Sequence, residues 1–357
     1  MVLLKRQQKV ILNNETKNEH VYGEHFLRYL IVGLGSIGKR HLRNIKLIDP
    51  DGIVTVWHTH TKKSEMETLD TQPERVVYSF EEAIDPKPDV AFITNPASAH
   101  IPIATRLTRE GIDLFIEKPI SSILSGVDNL LQTQKTHNTL IMIGYNLRFH
   151  QPLQILKQCV GEGKIGKLIG IRAEVGQYLP EWRPGTDYHS SVSARGELGG
   201  GAVLELSHEL DYALWLAGEV TSVTSQTDRL SDLEIDVEDT AEIILRFASG
   251  ALGSIHLDMV QRPSTRYCKV LGTEGTIIWD GTTDSVMLFS NETGHWLILH
   301  PEQKVDRNQM YISELEHFFA CIRERKEPLI TGSDGKRVLQ VALAALQSSK
   351  EQRSITL

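Results

Sequence analysis

Cysteine is scarce in this chain of 357 residues: Cys159, Cys268 and Cys321 are the only three. They lie far apart and lack the paired spacing of a disulfide framework or a thiolate zinc site, so neither is expected, and a reducing compartment fits. Positive charge is not in excess. Lys and Arg number 38 against 46 Asp and Glu, a formal charge of −8, so there is no electrostatic reason to expect nucleic acid or an anionic membrane as partner. Long apolar runs are missing as well, and no stretch approaches the ~20 residues of a membrane span. The short apolar stretch Val2 to Leu4 meets Lys5 and Arg6 at once, unlike the apolar core of a signal peptide. A cytoplasmic protein with small-molecule chemistry is expected. Residues 1–25 read as a polar extension with a short strand at Lys9 to Leu12.

What is present is the composition of an ordinary soluble protein, 40% hydrophobic and 24% charged, at a length that favours two domains. Strand and helix patterns alternate from residue 26: strands at Phe26 to Val32, Ile53 to Trp57, Val90 to Thr94, Ile112 to Ile116 and Leu140 to Gly144, helices at Ile101 to Arg109 and around Leu124 to Thr136. Gly111 is the expected C-cap of the first of those helices. This predicts an α/β domain with a doubly wound parallel sheet of about six strands over residues 26–149. After Phe149 the texture changes. A helix at Pro152 to Cys159 leads into β-rich segments at Lys167 to Tyr178, Val220 to Thr227, Thr240 to Phe247, Ala251 to Met259, Tyr267 to Leu271 and Thr276 to Trp279. With helices at Ala202 to Leu216, Tyr311 to Arg325 and Asp334 to Ser349, residues 150–357 read as an α+β domain on a large open, mostly antiparallel sheet.

The first strand runs into Gly33-Leu-Gly35-Ser36-Ile37-Gly38. In a Rossmann βαβ unit the first glycine makes a tight turn, the second lets backbone approach a pyrophosphate, and the third lets helix pack on strand. The helix N-terminus then presents unpaired N–H groups to phosphate. A dinucleotide is therefore expected at Gly33, Gly35, Ser36, Ile37 and Gly38. An NAD-specific domain carries an acid about twenty residues past the glycines to hold the ribose hydroxyls. Here the second strand ends in Trp57-His58-Thr59-His60-Thr61-Lys62-Lys63, with no carboxylate before Glu65. Position 58 is thus histidine, His58 and Thr59 are the expected contacts, and NADP is favoured over NAD.

Two further patterns carry chemistry. Lys118, in Glu117-Lys118-Pro119, stands at the carboxyl edge of a parallel strand, where such sheets bind ligands; it reads as a donor to a substrate oxygen, or as a surface lysine ending a strand. Glu205, His208 and Asp211 follow Gly199-Gly200-Gly201 at i, i+3, i+6 on one predicted helix. A histidine between two carboxylates has a set tautomer and raised basicity, as a general base requires. The same trio could ligate a metal or form a buried structural pair; no further ligand pair with recognisable spacing exists, and no metal is expected.

Together Gly33-x-Gly35-x-x-Gly38-x-x-His41, Asn95-Pro96-x-x-x-His100, Glu117-Lys118-Pro119, Tyr145-Asn146-x-Arg148-Phe149, Gly199-Gly-Gly with His208 and Asp211, and Gly272-Thr-Glu-Gly275-Thr resemble the Gfo/Idh/MocA family of glucose-fructose oxidoreductase and inositol dehydrogenase, from about residue 27 to the C-terminus. The resemblance implies a Rossmann domain for NAD or NADP and a second domain whose sheet pairs in homodimers or homotetramers. It implies Lys118 and His208 as catalytic, with Asp211 orienting the histidine, and a cis Lys118–Pro119 bond. Asn95, Pro96, His100 and Glu117 fall where members line the cofactor, Tyr145 and Arg148 on the substrate side. One departure stands out: many members place an aspartate four residues before the histidine, and here position 204 is leucine and Glu205 is three before.

The loop Leu179 to His189, followed by Arg195, is expected to close over the substrate with Trp182, Arg183, Asp187 and Tyr188. Aromatic rings stack on sugar faces and a carboxylate accepts from hydroxyls; the two arginines suit an anionic group or pair with Glu181, Asp187 or Glu197. The expected activity is hydride transfer at a secondary hydroxyl of a sugar, cyclitol or nucleotide-linked sugar. The rivals are a glycosidase that uses NAD transiently and a non-catalytic dinucleotide-binding regulator.

Overall fold

The computed structural model describes residues 27–58, 69–303 and 306–357. The expected strand at Lys9 to Leu12 and the cofactor contact Thr59 lie outside those residues. Six strands form the first sheet: β1 (Arg28–Val32), β2 (Ile53–Trp57), β3 (Arg75–Val77), β4 (Val90–Ile93), β5 (Asp113–Glu117) and β6 (Ile141–Gly144), ordered β3-β2-β1-β4-β5-β6. Every pairing is parallel. The apolar runs Tyr29 to Val32, Val90 to Ile93 and Leu114 to Ile116 are buried throughout, as strands covered by helices on both faces require. Those helices include α1 (Ser36–Ile48), the single turn α2 (Phe80–Ala83), α3 (His100–Arg109) and α4 (Val127–His137). Past α3, Gly111 has φ +70, the left-handed conformation expected of a glycine at a helix end. The strand order reverses between β1 and β4, which opens a crevice at their carboxyl ends.

Beyond α5 (Gln151–Gly161) come β7 (Leu168–Gly176), α6 (Ala202–Glu205), α7 (His208–Ala217), β8 (Val220–Asp228), β9 (Thr240–Phe247), β10 (Leu252–Asp258), β11 (Thr265–Gly272), β12 (Gly275–Asp280), β13 (Ser285–Ser290), β14 (Trp296–His300), α8 (Asn308–Glu324), α9 (Gly332–Glu351) and β15 (Ile355–Thr356). The second sheet runs β14-β13-β12-β11-β7-β10-β9-β8-β15. Its pairings are antiparallel except β7 with β10. One face packs on helices. In β9, Ala241, Ile243, Leu245 and Phe247 point inward while Glu242, Ile244 and Arg246 stand exposed, the alternation of a one-sided sheet.

One departure from the sequence reading matters. The single helix expected over Ala202 to Leu216 is broken at Leu206-Ser207 into α6 and α7. Packing also crosses residue 150, because α8 returns to the first sheet. Its Phe319 lies 5.3 Å from Tyr29 and 6.4 Å from Phe92, and its Phe318 5.8 Å from Phe115, centroid to centroid. Asn308 and Asn44 exchange hydrogen bonds between α8 and α1. The second part of the chain thereby closes the core of the first.

Candidate active site

The crevice begins at the turn after β1. Gly33 has φ +89, and a Cβ on it would stand 3.2 Å from the Asn95 nitrogen. Thr94 Oγ1 donates to the carbonyls of Val32 (3.0 Å) and Gly33 (2.8 Å), which ties this turn to the end of β4. Helix α1 starts at Ser36 with Gly35 as N-cap, no side chain capping it and no acid in its first turn. The N–H groups of Ser36, Ile37 and Gly38 therefore lack intrahelical acceptors and face outward with the positive end of the helix dipole. A Cβ at Gly35 would meet nothing within 4 Å. Two buried polar atoms on the same edge have no partner, Asn95 Oδ1 and His58 Nδ1. Open space over a helix N-terminus, flanked by unsatisfied polar atoms at Asn95 and His58, is a lining that a dinucleotide's phosphates and polar groups would fit.

His100 does not belong to that lining. It is 1% exposed, and its ring nitrogens face the Asn95 carbonyl at 2.7 Å and the Pro119 carbonyl at 3.1 Å. Burial pushes its pKa down. It bolts the Asn95-Pro96 turn to the Lys118-Pro119 turn, a role its place in a motif could not reveal.

Lys118 follows β5, and the Lys118–Pro119 bond is cis. Its Nζ donates to the Glu205 carbonyl at 2.9 Å. The helix break explains why that oxygen is available. In a continuous helix it would accept from the Glu209 N–H, but that N–H turns to the Leu206 carbonyl instead. The Glu205 carboxylate accepts from Ser193 Oγ at 2.8 Å, so this residue holds the lysine by its backbone and the 191–194 segment by its side chain.

The expected carboxylate–histidine–carboxylate row is not formed. Asp211, 0% exposed, takes two hydrogen bonds from Arg148, at 3.0 Å from Nε and 2.7 Å from Nη2. This closed, buried ion pair removes Asp211 from the histidine and Arg148 from the substrate side. Glu209 is likewise held by Arg266, at 2.8 and 3.3 Å. His208 is left facing cations: burial first, then the charges of Lys118 and Arg266, hold its pKa well below the usual histidine value. Its basicity is lowered, not raised. Its Nδ1 is buried without a partner, and its ring packs edge-on against Tyr145 at 5.6 Å. Tyr145 is itself fully buried, with its hydroxyl 3.3 Å from Ser207 Oγ, so it backs the histidine and does not reach substrate.

The 179–195 loop forms a shallow cleft lined by Trp182, Arg183, Tyr188 and Ser191 among others. Trp182 donates its indole N–H to the Gln177 carbonyl and so presents only ring surface. Asp187 is used locally, accepting from the His189 backbone N–H and ring. Arg195 donates to the His189 carbonyl and lies 3.9 Å from Asp236. Neither Lys118 nor His208 lines this cleft; the link runs from Ser191 through Ser193 to Glu205.

Sequence reasoning assigned no role to His41 or Glu314. His41 Nε2 lies 2.6 Å from Glu117 Oε1, and Glu314 is buried with one oxygen unpaired. The spacing Gly38-x-x-His41 held the only available signal for the first. Among the described residues no group of three His, Cys, Asp or Glu side chains is arranged to hold a metal ion, and no helix is long and apolar enough to cross a membrane.

Residues 27–145 match a family model described as oxidoreductase family, NAD-binding Rossmann fold, and residues 157–357 one described as oxidoreductase family, C-terminal alpha/beta domain. Among curated relatives, a myo-inositol 2-dehydrogenase of Thermotoga maritima is 29% identical, covering 93% of this chain and 98% of that one. A scyllo-inositol 2-dehydrogenase (NAD(+)) of Bacillus subtilis is 25% identical over 94% and 97%. Among solved structures, a levoglucosan dehydrogenase in complex with NADH superposes with a TM-score of 0.82 at 20% identity, covering 92% and 98%.

Proposed function

The chain belongs to the Gfo/Idh/MocA family of oxidoreductases, and on that premise we propose that it transfers hydride between a nicotinamide dinucleotide and a secondary hydroxyl or ketone of a sugar, cyclitol or nucleotide-linked sugar. One observation carries the reading: His208 Nδ1 is buried and unpartnered, on a ring under the influence of Lys118. A polar atom left so costs free energy until a ligand pairs with it. A substrate hydroxyl is the matching donor. The names of the sequence relatives, inositol dehydrogenases, support a polyhydroxylated ring.

When bound, the nicotinamide supplies the hydride acceptor or donor. In the oxidising direction His208, kept neutral by burial and neighbouring cations, takes the hydroxyl proton. Lys118, aimed by the Glu205 carbonyl, donates to the same oxygen as negative charge grows on it. Asp211 and Arg148 brace the helix that carries the histidine. The cofactor we propose is NADP ahead of NAD: His58 and not an acid follows β2, so no carboxylate at that position repels a 2′-phosphate. The assembly we propose is a homodimer or homotetramer through the outer face of the second sheet, where Ile298 is 69% exposed.

The test is to incubate the protein with oxidised NADP or NAD and a panel including myo-inositol, scyllo-inositol, sugars and nucleotide sugars, following cofactor reduction and product structure. Lys118→Met should lower turnover by about a hundredfold or more while cofactor affinity stays within a few fold. Near-normal turnover in that variant overturns the assignment. Glycoside cleavage without reduced cofactor would make the glycosidase reading the better one, and tighter binding of NAD than NADP refutes the cofactor preference.

A further inference from the structure

His41 lies on α1, the helix whose N-terminus forms the phosphate cradle, yet its side chain points away from the cradle into the core. It is 0% exposed and wedged between the rings of Phe92 (5.3 Å) and Phe115 (5.1 Å). Its Nε2 stands 2.6 Å from Oε1 of Glu117, the residue immediately before Lys118. The other ring nitrogen has no partner, so the Nε2–H donates to the carboxylate and the imidazole is turned wholly toward it.

Glu117 has few alternatives. Its side chain is 12% exposed, and its Oε2 lies so close to Gly144 that a Cβ there would stand 3.1 Å away. Across from it Glu314, on α8, is 1% exposed and has Oε1 unpaired. Burial and the fields of Glu117 and Asp211 raise the Glu314 pKa well above the ordinary glutamate value, and a carboxyl in any case gives Glu117 no counter-charge. His41 is then what fixes the Glu117 side chain, and Glu117 and Lys118 share a peptide unit at the end of β5.

We propose that His41 is a positioning residue for the reaction, acting through Glu117 to hold the strand end from which Lys118 projects. It couples the phosphate-binding helix to the reacting amine, so that the same helix sets the place of both. The proposal rests on the dehydrogenase reading for its consequence in turnover, but not for its geometry.

Two variants separate positioning from packing. Gln at position 41 carries an amide nitrogen out to about where the imidazole Nε2 stands, whereas Asn reaches only the place of Nδ1. Both are polar and leave space beside Phe92 and Phe115. The first measurement needs no substrate: the acetylation rate of Lys118 by acetic anhydride, read by peptide mass spectrometry against the exposed Lys164. H41Q should match the wild type, and H41N should change the Lys118 rate alone. In turnover with myo-inositol, or another polyol that reduces the cofactor, H41N should lose on the order of a hundredfold in kcat, the scale of an ångström's misplacement at a reacting group. NADP and NAD affinity, read by fluorescence, should hold within a few fold, H41Q should recover most of kcat, and in an E117Q background the two variants should no longer differ. Equal Lys118 reactivity in H41Q and H41N, whether both normal or both altered, overturns the proposal. Failure of every polyol to reduce the cofactor overturns the dehydrogenase reading and leaves the acetylation result to decide this one.

Discussion

Alanine at Gly35 and alanine at Gly38 test one turn with opposite expectations. A Cβ at Gly38 would stand 2.5 Å from the Gly33 carbonyl oxygen and 2.8 Å from Thr94 Oγ1, distances no real Cβ keeps. Neither neighbour is free to swing aside: the carbonyl belongs to a turn at φ +89, and the hydroxyl donates to two backbone oxygens. Helix α1 must therefore lift from β1, an overpacking cost of about 1–3 kcal/mol. With an unfolding entropy of about 2.1 cal/mol/K per residue, a cooperative chain of 357 residues would lose roughly 1–4 °C in Tm. Gly35 differs, with nothing within 4 Å of its Cβ position and φ −69, ψ −170, a backbone any residue adopts. G35A should melt like the wild type without cofactor, yet bind NADP and NAD at least about tenfold more weakly, or ~1.4 kcal/mol, because its methyl occupies the approach to α1. Thermal denaturation without cofactor and fluorescence titration with both cofactors give the two readouts. A folded G35A with wild-type affinity would mean that the phosphates do not approach over Gly35, and a G38A protein with unchanged Tm and affinity would refute the packing argument.

Because burial and nearby cations depress the His208 pKa, the histidine is already neutral below pH 6.5, so kcat/KM for oxidation should stay flat down to below that pH; an acid limb at 6.5 or above that vanishes in H208A would contradict the lowered basicity. Arg148→Met leaves Asp211 buried with no counter-charge and should cost about 3–5 kcal/mol in denaturant unfolding, whereas a loss under 1 kcal/mol would show that Asp211 finds another partner or a proton. His256, hydrogen-bonded to Asp258 and on its other side to Glu242, has its pKa raised to about 9. The sign follows from a folded-state pKa above the unfolded one: the contribution is complete below about pH 6.5 and fades as pH rises through about 9, so the Tm gap between wild type and H256Q should narrow over that range and a constant gap would refute it.

The parallel sheet was legible because its strands are buried on both faces and so read as unbroken apolar runs, and because glycine punctuates the turns. β3 escaped notice because Arg75-Val-Val77 is too short for any period. β13 and β14 are β-prone, but Met287, Phe289, Trp296 and Ile298 put apolar side chains on the outward face as well, which erases the alternation that marks a one-sided strand. The place of α8 was beyond reach for a different reason. Its apolar face announces that it packs on something, and only the fold decides that this is Tyr29, Phe92 and Phe115, about two hundred residues away or more.

At the site the same distinction separates what local spacing carries from what it cannot. The Gly33 to Gly38 turn and Lys118 are set by neighbours in sequence: the first lies where β1 passes into α1, the second directly after β5. The row Glu205, His208, Asp211 rested on an unbroken helix, and helical spacing is only as good as the helix. One tight turn at Leu206-Ser207 rotates Glu205 away, and a guanidinium from residue 148 outcompetes an imidazole for Asp211 because it offers two charge-assisted hydrogen bonds in a dry place. The break is not a defect in an otherwise regular element. By releasing the Glu205 carbonyl it creates the acceptor that aims Lys118, and by drawing both nearby carboxylates onto arginines it leaves His208 among cations. A histidine in that setting is a weaker base than a free imidazole, but it is neutral at rest, so a nitrogen stays open to a hydroxyl proton that it then passes on readily.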